Sequence, residues 1–128
     1  MNIKTIQIAL FLGISAIILG AFAAHGLKKY ITPTDIQTFE TGVKYQMYHA
    51  LFLIFIANNQ LFTPKGIKNI TLFISFGVLL FSGSIYILAT AAITHIHFKP
   101  FGILTPIGGI LLIMGWSLAL KQTFNKIK

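Results

Sequence analysis

Lysine supplies all ten positive charges of this 128-residue chain, against two acids, and there is neither arginine nor cysteine. Without cysteine there are no disulfides, thiolate metal centres or cysteine nucleophiles, and without arginine a nucleic-acid partner is not expected despite the net charge of +8. Apolar residues make up 55% and charged residues only 9%, where a soluble domain carries about 25% charged residues.

The charges divide the chain into four uncharged stretches, 5–27, 45–64, 69–98 and 100–120. Each is long enough to cross a hydrocarbon core about 30 Å thick, which takes roughly 20 apolar residues. The spacing predicts a single-domain, all-α membrane protein with four transmembrane helices, near 5–24, 45–62, 69–93 and 101–121. A short amphipathic surface helix, about 33–44, is expected between the first two.

The first stretch follows Lys4 and ends near Ala21-Phe22-Ala23, which has the outline of a signal peptide. It is long enough to span, so the chain is read as keeping it as a first helix. Gly13 lies in it, and Ala16, Gly20 and Ala24 repeat every four residues, a small-residue stripe that lets another helix approach.

The connection from His25 to Lys44 is the most polar part of the chain. Thr32-Pro33-Thr34-Asp35 predicts a helix start, with a threonine cap, proline at the first position and an acid in the first turn. Ile36, Phe39, Val43 and Met47 follow at helical spacing, which predicts a helix lying on the membrane surface. Gly42 is the expected bend into the second span. That span ends at Thr63-Pro64-Lys65-Gly66, a strong breaker. In the fourth span Thr105-Pro106 is a second cap-like pair, so the helix starts either near Phe101 or at Pro106.

Four crossings put both termini on one side, with Lys4, Lys65, Lys68, Lys121, Lys126 and Lys128. Lys28, Lys29, Lys44, Lys99 and both acids take the other. The positive-inside rule then makes both termini cytoplasmic. The polar residues with chemistry to offer gather on the opposite side. His25 lies three residues before Lys28 and His49 five after Lys44, depths of about 4 to 8 Å along their helices. Tyr45, Gln46 and His49 share part of one helix face. A cluster of His25, Tyr45, Gln46 and His49 is therefore the candidate site. It is read first as hydrogen bonding between helices, then as a site for a lipid headgroup or quinone, and last as a haem held by His25 and His49. No metal site is expected, since zinc requires a third or fourth ligand. Signatures of hydrolases, metalloproteases and nucleotide-binding enzymes are missing.

Gly20-Ala21-Phe22-Ala23-Ala24-His25-Gly26-Leu27, Tyr45-Gln46-Met47-Tyr48-His49-Ala50-Leu51, Phe81-Ser82-Gly83-Ser84-Ile85-Tyr86, Thr105-Pro106-Ile107-Gly108-Gly109 and Gly115-Trp116 occur in this order. Together they resemble the YgdD/YwdK-type family of small bacterial inner-membrane proteins. The resemblance implies a multi-pass protein of the plasma membrane and supplies no activity, substrate or catalytic residue. Ala23 stands where the family often has glycine.

The expected function is thus non-enzymatic: an accessory or bilayer-organising component that binds membrane lipids, a membrane-protein partner or copies of itself. A haem- or quinone-binding redox protein and a subunit of a small oligomeric transporter are the alternatives. Gly83, Gly108, Gly109 and Gly115, with Gly13 and Gly20, are the expected helix-packing positions, and Gly108 and Gly115 are seven apart and so face one neighbour.

Overall fold

Asn2, Thr32 and Thr63 each turn a side-chain oxygen onto the backbone N–H three residues later, at Thr5 (3.0 Å), Asp35 (3.1 Å) and Gly66 (3.0 Å). Capping the first free donors in this way starts a helix at each point. In the computed structural model, which describes residues 1–97 and 99–127, these are α1 (Ile3–His25), α2 (Pro33–Asn58) and α3 (Pro64–Ala89). A 3-10 turn at Leu27–Lys29, a short α4 (Ala91–Thr94) and a long α5 (Pro100–Ile127) complete the chain. Lys128 lies outside the described residues.

One expectation about these elements is corrected and one open choice is settled. The surface helix and the second span are one continuous α2, unbroken at Gly42. A Cβ on Gly42 would lie 2.7 Å from Tyr86 Cε1, and Ser82 Oγ donates to the Gly42 carbonyl at 2.7 Å. The glycine admits α3; it does not turn the chain. Of the two starts expected for the last span, the one near Phe101 is found: α5 starts at Pro100 and runs through Pro106. Thr105 spends its hydroxyl on Ser84 of α3 rather than on a cap, and the carbonyl opposing the proline ring belongs to Gly102, which is unencumbered by a side chain.

The helices pack in succession, α1 on α2, α2 on α3 and α3 on α5. On α1 the buried positions are Thr5, Ala9, Ala16 and Ala23, with half-buried Leu12 and Leu19 between them. Their alternating spacing of four and three is the repeat of left-handed helix packing. Ala24 is exposed, so the small-residue stripe runs through Ala9, Ala16 and Ala23 instead of Ala16, Gly20 and Ala24. One apolar core joins Ala9, Leu53, Ile56, Ile70, Ile74 and Leu112. A smaller one at the opposite end joins Ala23, Leu27, Ile31, Ile36, Phe39 and Ala89.

Both chain ends lie at one end of the bundle, its base. There Asn2 N–H donates to the Ala57 carbonyl (3.1 Å) and Thr63 N–H donates to Gln122 Oε1 (3.0 Å). Moving up α1, Gly13 lies against Ala50 and Gly20 against Val43. So α2 runs antiparallel beside α1 for nearly its full length.

By length and composition, three helical segments among the described residues are able to cross a membrane, not the four expected. They are Ile3–Lys29, Pro64–Ala89 and Pro100–Ile127, whose most apolar 18-residue stretches have mean hydropathies of 2.3, 2.1 and 2.0. Their outer faces are apolar: Phe11, Ile14, Ile17 and Ile18 on α1 and Ile103, Ile110, Ile113 and Leu120 on α5 are all more than half exposed, as contact with lipid requires. In α2, Lys44, Tyr45, Gln46, Tyr48 and His49 lower the hydropathy of its middle.

Candidate functional site

α2 carries the polar centre of the bundle. Gln46 is 5% exposed and its amide is fully used. Nε2 donates to the Leu12 carbonyl (2.9 Å) and to Ser15 Oγ (2.7 Å), both on α1. Oε1 accepts from the Tyr86 hydroxyl of α3 at 2.7 Å. One buried side chain thus ties three helices together.

His49, also 5% exposed, ties α2 to α5. Indole Nε1–H of Trp116 lies 3.0 Å from His49 Nε2, and His49 Nδ1 lies 2.7 Å from the Tyr45 carbonyl. An indole nitrogen can only donate, so Nε2 accepts and Nδ1 carries the proton that goes to Tyr45. The tautomer is fixed and the ring is neutral. Phe52 stacks on Trp116 at 4.0 Å with planes 9° apart, holding the indole in place. Tyr45 packs on Phe81 at 4.9 Å and keeps its outer edge exposed.

His25 does not join this group. It is exposed at the end of α1 and its Nδ1 bonds the Ala21 carbonyl of its own helix (3.0 Å). His49 lies level with Gly13, through the neighbouring Ala50, so His25 sits about 18 Å further along α1 at 1.5 Å per residue. The expected common depth assumed that α2 enters the membrane at Lys44, whereas α2 begins at Pro33 and shifts every later residue down the bundle. A haem between His25 and His49 does not fit these residues, because both nitrogens of His49 are engaged and the rings stand at different depths. Among the described residues no group of three or more His, Cys, Asp or Glu is placed to hold a metal ion.

The glycines fall into two sets. A Cβ on Gly108 would collide with the Phe81 backbone, and one on Gly115 would lie 2.6 Å from Ile74 Cδ1, so both face α3 closely. Gly20 approaches Val43 at 3.3 Å. Gly13 and Gly109 make only ordinary contacts, nearest at 4.0 and 3.8 Å, and Gly83 has nothing within 4 Å.

Trp116, Tyr86 and Ser15 are the partners that sequence reasoning left out of the site. The available signal was the chemistry of Trp116: a single tryptophan inside an apolar stretch brings an N–H that must find an acceptor. Beside the His49–Trp116 pair, a groove of about 440 Å³ opens sideways between α2 and α5, walled by Tyr45, Tyr48, Phe81, Gly109, Ile113 and Trp116.

A family described as "Protein of unknown function (DUF423)" matches residues 19–109, which include Gln46 and His49. The chain belongs to the DUF423 family. Curated relatives carry the name UPF0382. The membrane protein YwdK of Bacillus subtilis is 42% identical over 106 residues, covering 79% of this chain and 80% of the relative. A UPF0382 membrane protein of Staphylococcus saprophyticus is 39% identical over 106 residues, covering 83% and 84%. The inner membrane protein YgdD of Escherichia coli is 34% identical over 109 residues, covering 84% and 79%. No solved structure matches the chain. The DUF423 chain described here is thus a membrane protein with an all-helical fold, and the resemblance drawn from its motifs names the same relatives.

Proposed function

We propose that this DUF423 protein crosses the plasma membrane four times, keeps both termini in the cytoplasm, and acts without catalysis by binding a lipid or a partner's transmembrane segment. Support for the fourth crossing comes from α2 lying antiparallel along α1, with Asn2 bonded to Ala57 at the base and a short link from His25 to Thr32 at the top. If α1 crosses, a helix that shares its length crosses too. The outward face of α2 agrees. Thr34, Gln37, Thr38 and Thr41 are followed by exposed Tyr45 and Tyr48, then Leu51 and Phe55, the polar-aromatic-apolar order of a helix entering a bilayer. Cytoplasmic termini follow from the lysine excess at the base.

The binding role is carried by one observation, the lateral groove between α2 and α5. His49 and Gln46, the intramembrane groups best suited to acid–base work, are consumed in holding helices together. The groove beside them remains open, apolar along its walls, and edged by the exposed rings of Tyr45 and Tyr48. A binding cleft of that kind suits an acyl chain or an apolar helix face.

Gly109→Leu tests this reading, since the nearest atoms to its Cβ are the Phe81 ring at 3.8 and 3.9 Å. The substitution adds a side chain at a lining position of the groove whose Cβ meets only ordinary contacts. Wild type and variant are extracted from membranes in mild detergent, and co-purifying lipids and proteins are measured by mass spectrometry. A molecule retained by wild type and lost from Gly109→Leu is expected. Identical retention profiles would refute the groove as the binding site.

A further inference from the structure

A second cavity, about 370 Å³, lies at the base between the first turns of α1 and α3. Lys4 and Lys68 stand on its rim, exposed, while Ile8 and Leu72 line it one turn further up each helix. Between them the hydroxyls of Thr5 and Thr71 bond each other at 2.8 Å, and Thr71 also donates to the Ile67 carbonyl at 2.7 Å. These hydroxyls are satisfied within the protein, Asn2 in the lining spends its side-chain oxygen on Thr5 N–H, and Ile8, Leu72 and Pro64 supply the apolar part of the wall. The lining contains no carboxylate. The two acids of the chain, Asp35 and Glu40, belong to the early turns of α2, at the other end of the bundle.

The cavity therefore has two ammonium groups at its mouth and an apolar wall behind them, oriented along two helices that are apolar enough to cross a membrane. Lysines at the ends of such helices sit at headgroup level with their alkyl stems along apolar surface. We propose that this cavity is a site for one anionic phospholipid, its phosphate between Lys4 and Lys68 and one acyl chain running up past Ile8 and Leu72. A lipid is the occupant, in preference to free phosphate, because the lining continues from the charged rim onto the exposed apolar side chains of Ile8 and Leu72. The proposal deepens the lipid-binding reading but rests only on α1 and α3 as crossings. It does not involve the α2–α5 groove.

The test is native mass spectrometry of the full-length protein in mild detergent, incubated with an equimolar mixture of phosphatidylglycerol and phosphatidylcholine. Wild type is expected to retain one phosphatidylglycerol in preference to phosphatidylcholine. A K4Q/K68Q double variant should lose roughly tenfold to thirtyfold of that retention, since each lysine near an anionic headgroup contributes a large factor, with phosphatidylcholine unchanged. A charge-matched K121Q/K126Q variant, altered outside the cavity, should stay within about twofold of wild type at that scale. Equal loss in both double variants would overturn the site in favour of general attraction to a basic surface. Equal retention of the two lipids by wild type would overturn the anionic preference. Full displacement of phosphatidylglycerol by millimolar inorganic phosphate would overturn the lipid as occupant. Gly109→Leu should leave this retention intact, so failure of the groove reading and failure of this site give different results.

Discussion

Gly108 offers a sharp test of how α5 is held to α3. A Cβ placed there would meet the Phe81 backbone nitrogen and lie 2.8 Å from both Phe81 Cα and Cβ. Ordinary van der Waals separation for carbon pairs is about 3.5–4.0 Å, so alanine at 108 requires the two helices to part by roughly 1 Å. Backbone cannot rotate out of the way as a side chain can. Parting the helices also loosens Gly115 against Ile74, Gly77 against Leu112 and the Ser84–Thr105 hydrogen bond. Overpacking of this kind typically costs about 1–3 kcal/mol, which exceeds the roughly 0.5–1 kcal/mol that alanine gains over glycine inside a helix. Gly83 supplies the control, because nothing lies within 4 Å of its Cβ position. Gly108→Ala is expected to melt below wild type in detergent, followed by far-UV circular dichroism, while Gly83→Ala melts at or above it. Leucine at 108 should be worse again, and Ile113→Leu, on the lipid-facing side with 66% exposure, should be near neutral. If Gly108→Ala and Gly83→Ala shift stability in the same direction by similar amounts, the close approach of α5 to Phe81 is wrong.

Trp116→Phe keeps an aromatic ring on Phe52 but removes the N–H that His49 accepts, so it should destabilise the bundle by about 0.6–2 kcal/mol, measured by the same melting curves; no loss would refute the His49–Trp116 bond. Topology is open to single-cysteine labelling, since the native chain has no cysteine. On intact cells an impermeant maleimide should react with Thr34→Cys and not with Asn125→Cys, and the reverse pattern would put the base of the bundle outside.

Much of the architecture was legible in the residues because it depends on local chemistry. Thr32-Pro33 and Thr63-Pro64 start helices through hydrogen bonds that span three residues and need no distant partner. Uncharged runs bounded by lysines mark helices for lipid because desolvating a charge is costly wherever it occurs. What the residues did not reveal was register between helices. Thr105-Pro106 has the form of the other caps, yet Ser84 on another helix claims the threonine hydroxyl and α5 runs on through the proline. Gly42 reads as a bend until Tyr86 and Ile85 of α3 occupy the space beside it. His25 and His49 read as neighbours by counting from the nearest lysines, but contacts of Gly13 with Ala50 and Gly20 with Val43 set them far apart. Caps and hydropathy act within one turn or across one interface with solvent, so sequence alone makes them legible wherever no other helix claims the capping hydroxyl. Depth, pairing and the partner of each buried donor depend on side chains 30 or more positions away, as Gln46 with Leu12 and His49 with Trp116 show, and only the packed tertiary structure decides those.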